Sequence, residues 1–191
     1  MAAAAKQAKT GRLILVVGPS GAGKDSLIEG ARAALAGHPQ FVFARRIITR
    51  PSDPGSEDHA TLSEAEFERQ RAAGAFFLSW DAHGLSYALP GSIADDLAAG
   101  RTVIANVSRA VIDVARGKHA ATTVVVVTAP PAVLARRLAA RGREDAADIE
   151  ARLARAAAPP SGPGVVTIVN DSTLDSAVAR FLAVLKAPAE A

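Results

Sequence analysis

Apolar runs of strand length recur along the chain, and polar or glycine-rich turns separate them. Residues 13–17 are apolar at every position, which indicates a strand covered on both faces. Runs rich in β-branched residues cover 102–107, 122–128 and 165–169, and a further strand is predicted at 41–49. Helical segments fill the gaps between these runs. The alternation predicts an α/β fold with a mostly parallel sheet and helices on both faces.

Capping residues and glycines mark where the helices begin and end. A helix is expected from Ser26 to Ala36, before Gly37, and Ser63 with Glu66 forms a capping-box pattern for a helix to about residue 73. The remaining predicted elements are two short strands at 76–80 and 85–89, helices at 92–100, 130–141 and 148–158, and a last helix capped by Ser172 and ending near Lys186.

Composition narrows the class of protein. The 191 residues suit one domain, predicted over 12–186 between disordered tails at 1–11 and 187–191. The chain has no cysteine, which excludes disulfides and thiolate catalysis, and no apolar stretch approaches the roughly 20 residues of a membrane span. The net charge is +3, with clustered arginines and few aromatic residues. We expect a cytoplasmic protein that binds small molecules, not nucleic acid or membranes.

The segment that follows the first apolar strand carries the strongest chemical signal. It matches the pattern G-x-x-x-x-G-K-[ST] except at the last position, where Asp25 stands before Ser26. Glycines let successive backbone N–H groups point at an anion, and Lys24 adds a positive charge. We expect the phosphates of a nucleotide to bind Gly18, Pro19, Ser20, Gly21, Ala22, Gly23, Lys24, Asp25 and Ser26.

The departure at Asp25 concerns a metal ion. The usual hydroxyl at this position ligates Mg²⁺. Either the Asp25 carboxylate replaces that hydroxyl, directly or through water, or Ser26 reaches the ion from one residue later. A carboxylate is a hard ligand that suits Mg²⁺, although it brings negative charge toward a polyphosphate.

Arginines supply the second signal. Arg50 follows the predicted second strand in a Pro/Gly loop, at the edge where parallel sheets bind ligands. Arg137 and Arg141 are four residues apart on a predicted helix, so they share a face and repel each other unless an anion lies between them. Phosphate groups fit that requirement.

These motifs resemble the guanylate kinase-like branch of P-loop kinases over about residues 12–186. The resemblance lies in the phosphate loop, 49–51, 137–142 with Arg152, and 169–171. More specifically, the chain is similar to the ribose 1,5-bisphosphate phosphokinase family, in which Asp25 is the expected residue. The segments that carry this closer similarity are 23–27, 48–50, 55–59, 78–80, 83–85, 106–109 and 141–144.

The resemblance implies a three-layer α/β/α P-loop kinase with a small acceptor-binding lobe at about 50–90 and an arginine-bearing lid at about 141–148. It implies Mg²⁺- and ATP-dependent phosphorylation of ribose 1,5-bisphosphate to 5-phospho-α-D-ribose 1-diphosphate (PRPP), in phosphonate catabolism. The implied catalytic residues are Lys24, Arg137, Arg141, Arg143 and Arg152, with Asn170 and Asp171 on the adenine side and Arg46, Arg50, His59, Tyr87 and Arg109 at the sugar phosphates.

Two other functions stay open, as does an ordinary packing role for His59 and Tyr87. One is a guanylate kinase or other nucleoside monophosphate kinase. Guanylate kinases use a second arginine at the position where this chain has Asp53, and they hold guanine with acidic side chains, which the corresponding segments 77–79 and 106–108 lack. A non-catalytic guanylate kinase-like interaction module would be expected to lose the phosphate loop, whereas Lys24 is present. The sequence indicates no oligomeric state.

Overall fold

A parallel sheet forms the centre of the molecule. The computed structural model of the chain describes residues 10–51, 58–140 and 159–188. All neighbouring strands of the central sheet are parallel, so their carboxyl ends lie along one edge. In spatial order, the five strands are β2 (Phe41–Phe43), β7 (Thr102–Asn106), β1 (Arg12–Val17), β8 (Thr122–Thr128) and β9 (Val165–Val169).

Helices cover both faces of this sheet, as the sequence pattern predicts. The helices are α1 (Lys24–Ala34), α2 (Glu64–Ala72), α3 (Ile93–Ala98), α4 (Ile112–Lys118), α5 (Pro131–Ala139) and α6 (Leu174–Lys186). Leu15 of β1 belongs to an apolar cluster with Ile93 of α3 and Ile112 of α4. Ile14 belongs to a second cluster that includes Phe181 of α6. Within the described ranges, no helix combines the length and apolarity needed to traverse a bilayer.

A smaller mixed sheet packs beside the central one. Its strands, in spatial order, are β4 (His59–Thr61), β3 (Arg46–Ile48), β6 (Leu85–Pro90) and β5 (Phe76–Ala82). Leu78, Trp80 and Leu89 of this sheet bury their side chains in the same cluster as Leu15, which fixes the two sheets together. The Ser63 hydroxyl accepts a hydrogen bond from the Glu66 N–H (3.2 Å), so the predicted cap of α2 is confirmed.

The prediction of one strand over 41–49 is wrong. The chain leaves the central sheet after Ala44, whose N–H donates to the Ile104 carbonyl (2.8 Å), and Arg46 begins a strand of the small sheet. Apolar residues dominate both strands because each has a face to bury, and the interruption at Arg45 and Arg46 is too short to reveal the change of sheet. Arg50 therefore follows a strand of the small sheet, not one of the central sheet.

Several element boundaries also differ from the sequence prediction. Helix α1 begins at Lys24 rather than at Ser26, which places Asp25 in its first turn. Thr173, not Ser172, caps α6: its hydroxyl accepts from the Ser176 N–H (3.3 Å). Strand β4 and helix α4 were not predicted. The helix predicted at 148–158 and the lid at 141–148 lie outside the described residues.

Candidate active site

The loop between β1 and α1 has a backbone that only glycine fits at key points. Gly18 and Gly23 have φ angles of 148° and 89°. A Cβ on Gly18 would overlap the carbonyl oxygen of Val127, and one on Gly23 would lie 2.5 Å from Nδ2 of Asn170. The loop is thus pressed against β8 and the end of β9, which holds its backbone in place.

Lys24 is the first residue of α1 and lies against this loop. Its Nζ donates to the carbonyl oxygens of Gly18 (2.8 Å) and Pro19 (3.0 Å). Gly23, at the N-cap, has no side chain with which to cap the first turn, so backbone N–H groups at the start of α1 can bind an anion. The ammonium group and the positive end of the helix therefore lie at the same place.

Asn170 supports the loop from the end of β9. Its Nδ2 donates to the Ala22 carbonyl oxygen (2.8 Å), and both residues are buried. The family resemblance implies that Asn170 lies on the adenine side, and in the structure its amide contacts the loop between β1 and α1. Asp171, beside it, is exposed and lies 4.0 Å from Arg180.

Helix α5 carries Arg137 to the loop. The backbone carbonyl of Leu134 and the side chain of Leu138 lie within 3.5 Å of the position that a Cβ on Gly21 would take. This packing brings an NH1 nitrogen of Arg137 to 3.5 Å from the Gly21 carbonyl oxygen. A guanidinium group therefore lies beside the loop. Arg141, Arg143 and Arg152 lie outside the described residues.

Asp25 has a partner that the sequence analysis missed. Nδ2 of Asn106, the last residue of β7, donates to Oδ1 of Asp25 at 2.7 Å. Asn106 is buried, whereas Asp25 and Ser26 are exposed at the start of α1. A polar residue at the carboxyl end of an apolar strand is the signal that could have indicated Asn106.

The backbone at Arg50 is fixed by two neighbours on β4. The Thr61 hydroxyl donates to the Arg50 carbonyl oxygen (2.9 Å), and Nε2 of the buried His59 lies 3.2 Å from the same oxygen. The Arg50 Nε is buried and makes no hydrogen bond to any residue described here. The side chain of His59 thus lies against the backbone of Arg50, one of the predicted sugar-phosphate residues.

Aromatic rings support Arg46. Its guanidinium carbon lies 5.5 Å from the centre of the Tyr87 ring, which stacks on Trp80 at 5.5 Å with an interplanar angle of 7°. Such stacking restrains an arginine side chain. Arg109 begins a 3₁₀ turn directly after β7, where the Ser108 hydroxyl accepts from the Ala110 N–H (3.3 Å).

A cavity of about 310 Å³ lies elsewhere in the small sheet and has the wrong charge for phosphate. Its wall includes the carboxylates of Glu64, Glu68 and Asp81. Arg71 donates two hydrogen bonds to Asp81, and Ser86 donates a third, which together hold the pKa of the Asp81 carboxyl below its usual value. The charge of this cavity therefore does not favour phosphate.

The structure brings the predicted loop residues, Arg137 and Asn170 together, and it adds Asn106. Within 10–51, 58–140 and 159–188, no group of three or more His, Asp or Glu side chains is placed to hold a metal ion. A metal ion at Asp25 or Ser26 would therefore need phosphate oxygens or water as its other ligands, which is how Mg²⁺ binds in many phosphoryl-transfer sites.

The fold and loop together define a P-loop kinase with a guanylate kinase-like α/β architecture. A family model described as an AAA domain matches residues 14–157. The crystal structure of guanylate kinase from Anaplasma phagocytophilum superposes with a TM-score of 0.68 at 17% identity, covering 96% of this chain and 88% of that one. At this identity the likeness concerns the fold alone.

Curated relatives identify the family more closely. The ribose 1,5-bisphosphate phosphokinase of Acidiphilium cryptum is 55% identical over 177 residues, which are 93% of each chain. The enzyme of the same name from Methylobacterium radiotolerans is 51% identical over 93% of this chain and 98% of that one. This chain belongs to the ribose 1,5-bisphosphate phosphokinase family.

Proposed function

We propose that this chain transfers the γ-phosphoryl group of ATP to the 1-phosphate of ribose 1,5-bisphosphate, giving PRPP and ADP. The observation that carries the proposal is the phosphate loop, where Lys24 and the start of α1 lie beside Arg137 of α5. Relatives named for this activity match 93% of the chain at 51–55% identity. The fold likeness to guanylate kinase carries no preference for GMP.

Catalysis in this proposal consists of positioning and charge stabilisation. A phosphate oxygen of the acceptor is already ionised at neutral pH, so the attack on the γ-phosphorus needs no general base. Lys24 and Arg137 bind the phosphates of the donor and offset the negative charge that develops on the transferred group. An arginine in that role is worth about 10³–10⁵ in rate. We propose the same role for Arg141, Arg143 and Arg152.

We propose Mg²⁺ as the divalent ion that kinases of this type use with ATP. Asp25 and Ser26 offer hard oxygen donors at an exposed point beside the loop, which fits this ion. When bound with ATP, Mg²⁺ neutralises part of the charge on the β- and γ-phosphates. The protein's own contribution is to hold the loop, Lys24 and Asp25 in fixed relative positions.

We propose that arginines grip the two phosphates of the sugar. Arg46 is stacked on Tyr87, and the Arg50 backbone is held by His59 and Thr61, so both cations extend from a restrained part of the small sheet. Arg109 follows β7, at the same sheet edge as the phosphate loop. We assign His59 to positioning Arg50 and Tyr87 to positioning Arg46. Asn170 and Asp171 complete the nucleotide side.

The rest of the proposal concerns setting and extent. We propose that about residues 50–90, which contain three of the four strands of the small sheet, form the acceptor-binding lobe and that about 141–148 is the lid. The absence of cysteine from the sequence suits a reducing cytoplasm. ATP and a phosphate-bearing sugar are the partners of this site, and we propose that nucleic acid is not one of them.

The decisive experiment supplies ATP and Mg²⁺ with either ribose 1,5-bisphosphate or GMP and follows the products by ³¹P NMR. We expect the diphosphate signals of PRPP in the first reaction and negligible GDP in the second. Robust GDP formation without PRPP would overturn the assignment.

The Lys24→Ala variant tests the loop. We expect it to abolish PRPP formation while the protein stays folded, because Lys24 lies outside the apolar clusters of the core and its Nζ donates to carbonyl oxygens of the loop. Lys186→Ala is the matched control, because Lys186 is exposed and lies far from the loop. It is the last residue of α6, and the carbonyl of the preceding Leu185 contacts Arg12, at the end of β1 opposite to the loop. Normal turnover by Lys24→Ala would refute the role of the loop.

A further inference from the structure

The hydrogen bond between Asp25 and Asn106 joins two segments that are 81 residues apart in sequence. Strands β1 and β7 are parallel neighbours, with Val16 paired to Asn106, so the end of β7 lies directly beside the loop that follows β1. The bond length of 2.7 Å is that of a strong, charge-assisted contact. The pair is therefore a built part of the loop's surroundings.

The chemistry of the two residues is the reverse of the usual P-loop arrangement. In P-loop enzymes the metal is generally held by a hydroxyl on the loop and an aspartate at the end of a strand. Here the loop position carries the acid, Asp25, and the strand end carries a neutral amide, Asn106. Each arrangement has one carboxylate in the pair, so the negative charge offered to the metal–nucleotide complex is the same.

We propose that Asn106 is a positioning residue that fixes the Asp25 carboxylate for the divalent metal ion bound with ATP. The amide of Asn106 is buried and comes from a strand of the core, whereas Asp25 is exposed and without such a contact would sample several rotamers. The hydrogen bond occupies Oδ1. No residue described here bonds to Oδ2, which is available to the ion or to a water molecule on it.

The reversal has a specific consequence for single substitutions. An aspartate at 106 would place a second carboxylate against that of Asp25, and two anions at hydrogen-bond distance repel. A serine at 25 would leave a hydroxyl on the loop facing an amide, with no carboxylate in the pair. Either change alone breaks the arrangement, whereas the two together recreate the usual hydroxyl-and-aspartate pair.

The test measures ADP affinity by calorimetry with and without Mg²⁺, for Asn106→Ala, Asn106→Asp, Asp25→Ser and the double variant. Mg²⁺ raises the affinity for ADP by some factor in the unchanged protein, and we expect that factor to be about tenfold smaller in each single variant. A tenfold change corresponds to the loss of one charge-assisted hydrogen bond. The double variant should recover to within about threefold of the unchanged protein. In assays, Asn106→Ala should raise the Mg²⁺ concentration for half-maximal rate more than it lowers kcat.

Controls separate this role from a general loss of stability. Thr122→Val changes another buried polar residue, at the amino end of β8 and so at the opposite edge of the sheet, and should leave the Mg²⁺ effect unchanged. Asp25→Asn keeps an acceptor for Asn106 but removes the charge, and because Asp25 is exposed this variant tests the carboxylate even if Asn106→Ala does not fold. Asp25→Asn should lose the Mg²⁺ gain with an unchanged melting temperature.

Two results would overturn the inference: an unchanged Mg²⁺ gain in Asn106→Ala or Asp25→Asn, or a double variant no better than the worse single one. The inference rests on the proposed nucleotide-dependent function, but the two fail separately. A protein that shows the Mg²⁺ gain and its loss in the variants, yet forms no PRPP, would retain the metal role and refute the acceptor.

Discussion

Replacing Asn170 by alanine tests whether this residue supports the phosphate loop or recognises adenine. Its Nδ2 donates to the carbonyl oxygen of Ala22, which is fully buried, so the substitution leaves that oxygen without its donor. An unsatisfied buried acceptor costs about 1–3 kcal/mol. For a domain of this size, 1 kcal/mol shifts the melting temperature by about 2–4 °C. We expect a fall of about 4–8 °C for a cost of about 2 kcal/mol.

The assay compares ligands that share phosphates and differ in the base. Melting of the free protein gives the stability change, and calorimetry gives the affinities for ADP, GDP and inorganic tripolyphosphate. Because we propose that the loop binds the phosphates, which all three ligands share, we expect Asn170→Ala to weaken their binding by a similar factor. Ser172→Ala, two residues away on the surface, serves as the control and should change neither quantity. Among the residues that the structure describes, its hydroxyl contacts only the exposed Arg180 (3.3 Å).

One pattern of results would refute this reasoning. A melting temperature within about 1 °C of the unchanged protein, with weaker ADP binding and normal tripolyphosphate binding, would mean that Asn170 contacts the base. The contact of the Asn170 amide with the loop instead leads us to expect a lower melting temperature and weaker binding of tripolyphosphate as well as of ADP.

Two further predictions concern the backbone of the loop and the small sheet. Gly18→Ala should destabilise the protein by about 1–3 kcal/mol in urea titrations and abolish nucleotide binding, because its φ of 148° and the nearby Val127 carbonyl exclude a Cβ. Gly117→Ala is the control. This residue lies within α4 with open space around it, so the substitution should raise stability by about 0.5–1 kcal/mol in the same titrations. Equal effects of the two would contradict the steric explanation. The lowered pKa of Asp81 means that its pair with Arg71 stabilises the fold above the ordinary carboxyl pKa of 3.8, and this contribution is lost as the pH falls through the lower folded-state value. Asp81→Asn should therefore be less stable than the unchanged protein at pH 6 and converge with it in acid; an NMR titration of Asp81 with a midpoint at or above 3.8 would refute the shift.

The parts of the fold that follow from local pattern were predictable. Residues 13–17 are apolar throughout because β1 is covered on both faces, and the strand at 122–128 has the predicted bounds for the same reason. The strand at 165–169 also has the predicted bounds, although it is an edge strand on which Val166 and Val169 are exposed. The strand predicted at 41–49 was wrong, because apolar periodicity reports a buried face and not the sheet to which that face belongs.

The candidate site likewise has local features that could be predicted from sequence and long-range contacts that could not. The glycines and Lys24 could be read from sequence because neighbouring residues form the loop. The contact of Asn106 with Asp25 joins residues 81 positions apart, and the contact of Asn170 with Ala22 spans 148, so each depends on the order of strands in the sheet. The burial of His59 was equally hidden, since a histidine at the start of a short strand carries no local sign of its neighbours.

Strands β2 and β7 are hydrogen-bonded neighbours, yet the whole small sheet lies between them in sequence. The segment that we assign to the acceptor is therefore an insertion into the connection between these two strands. The loop that we assign to ATP follows β1, which lies on the other side of β7. Such an arrangement is modular: remodelling one inserted segment would change every proposed acceptor contact except that of Arg109, without rebuilding the part of the protein that we propose holds ATP. Exchanging residues 46–90 between relatives that use different acceptors would apply this modularity in protein engineering.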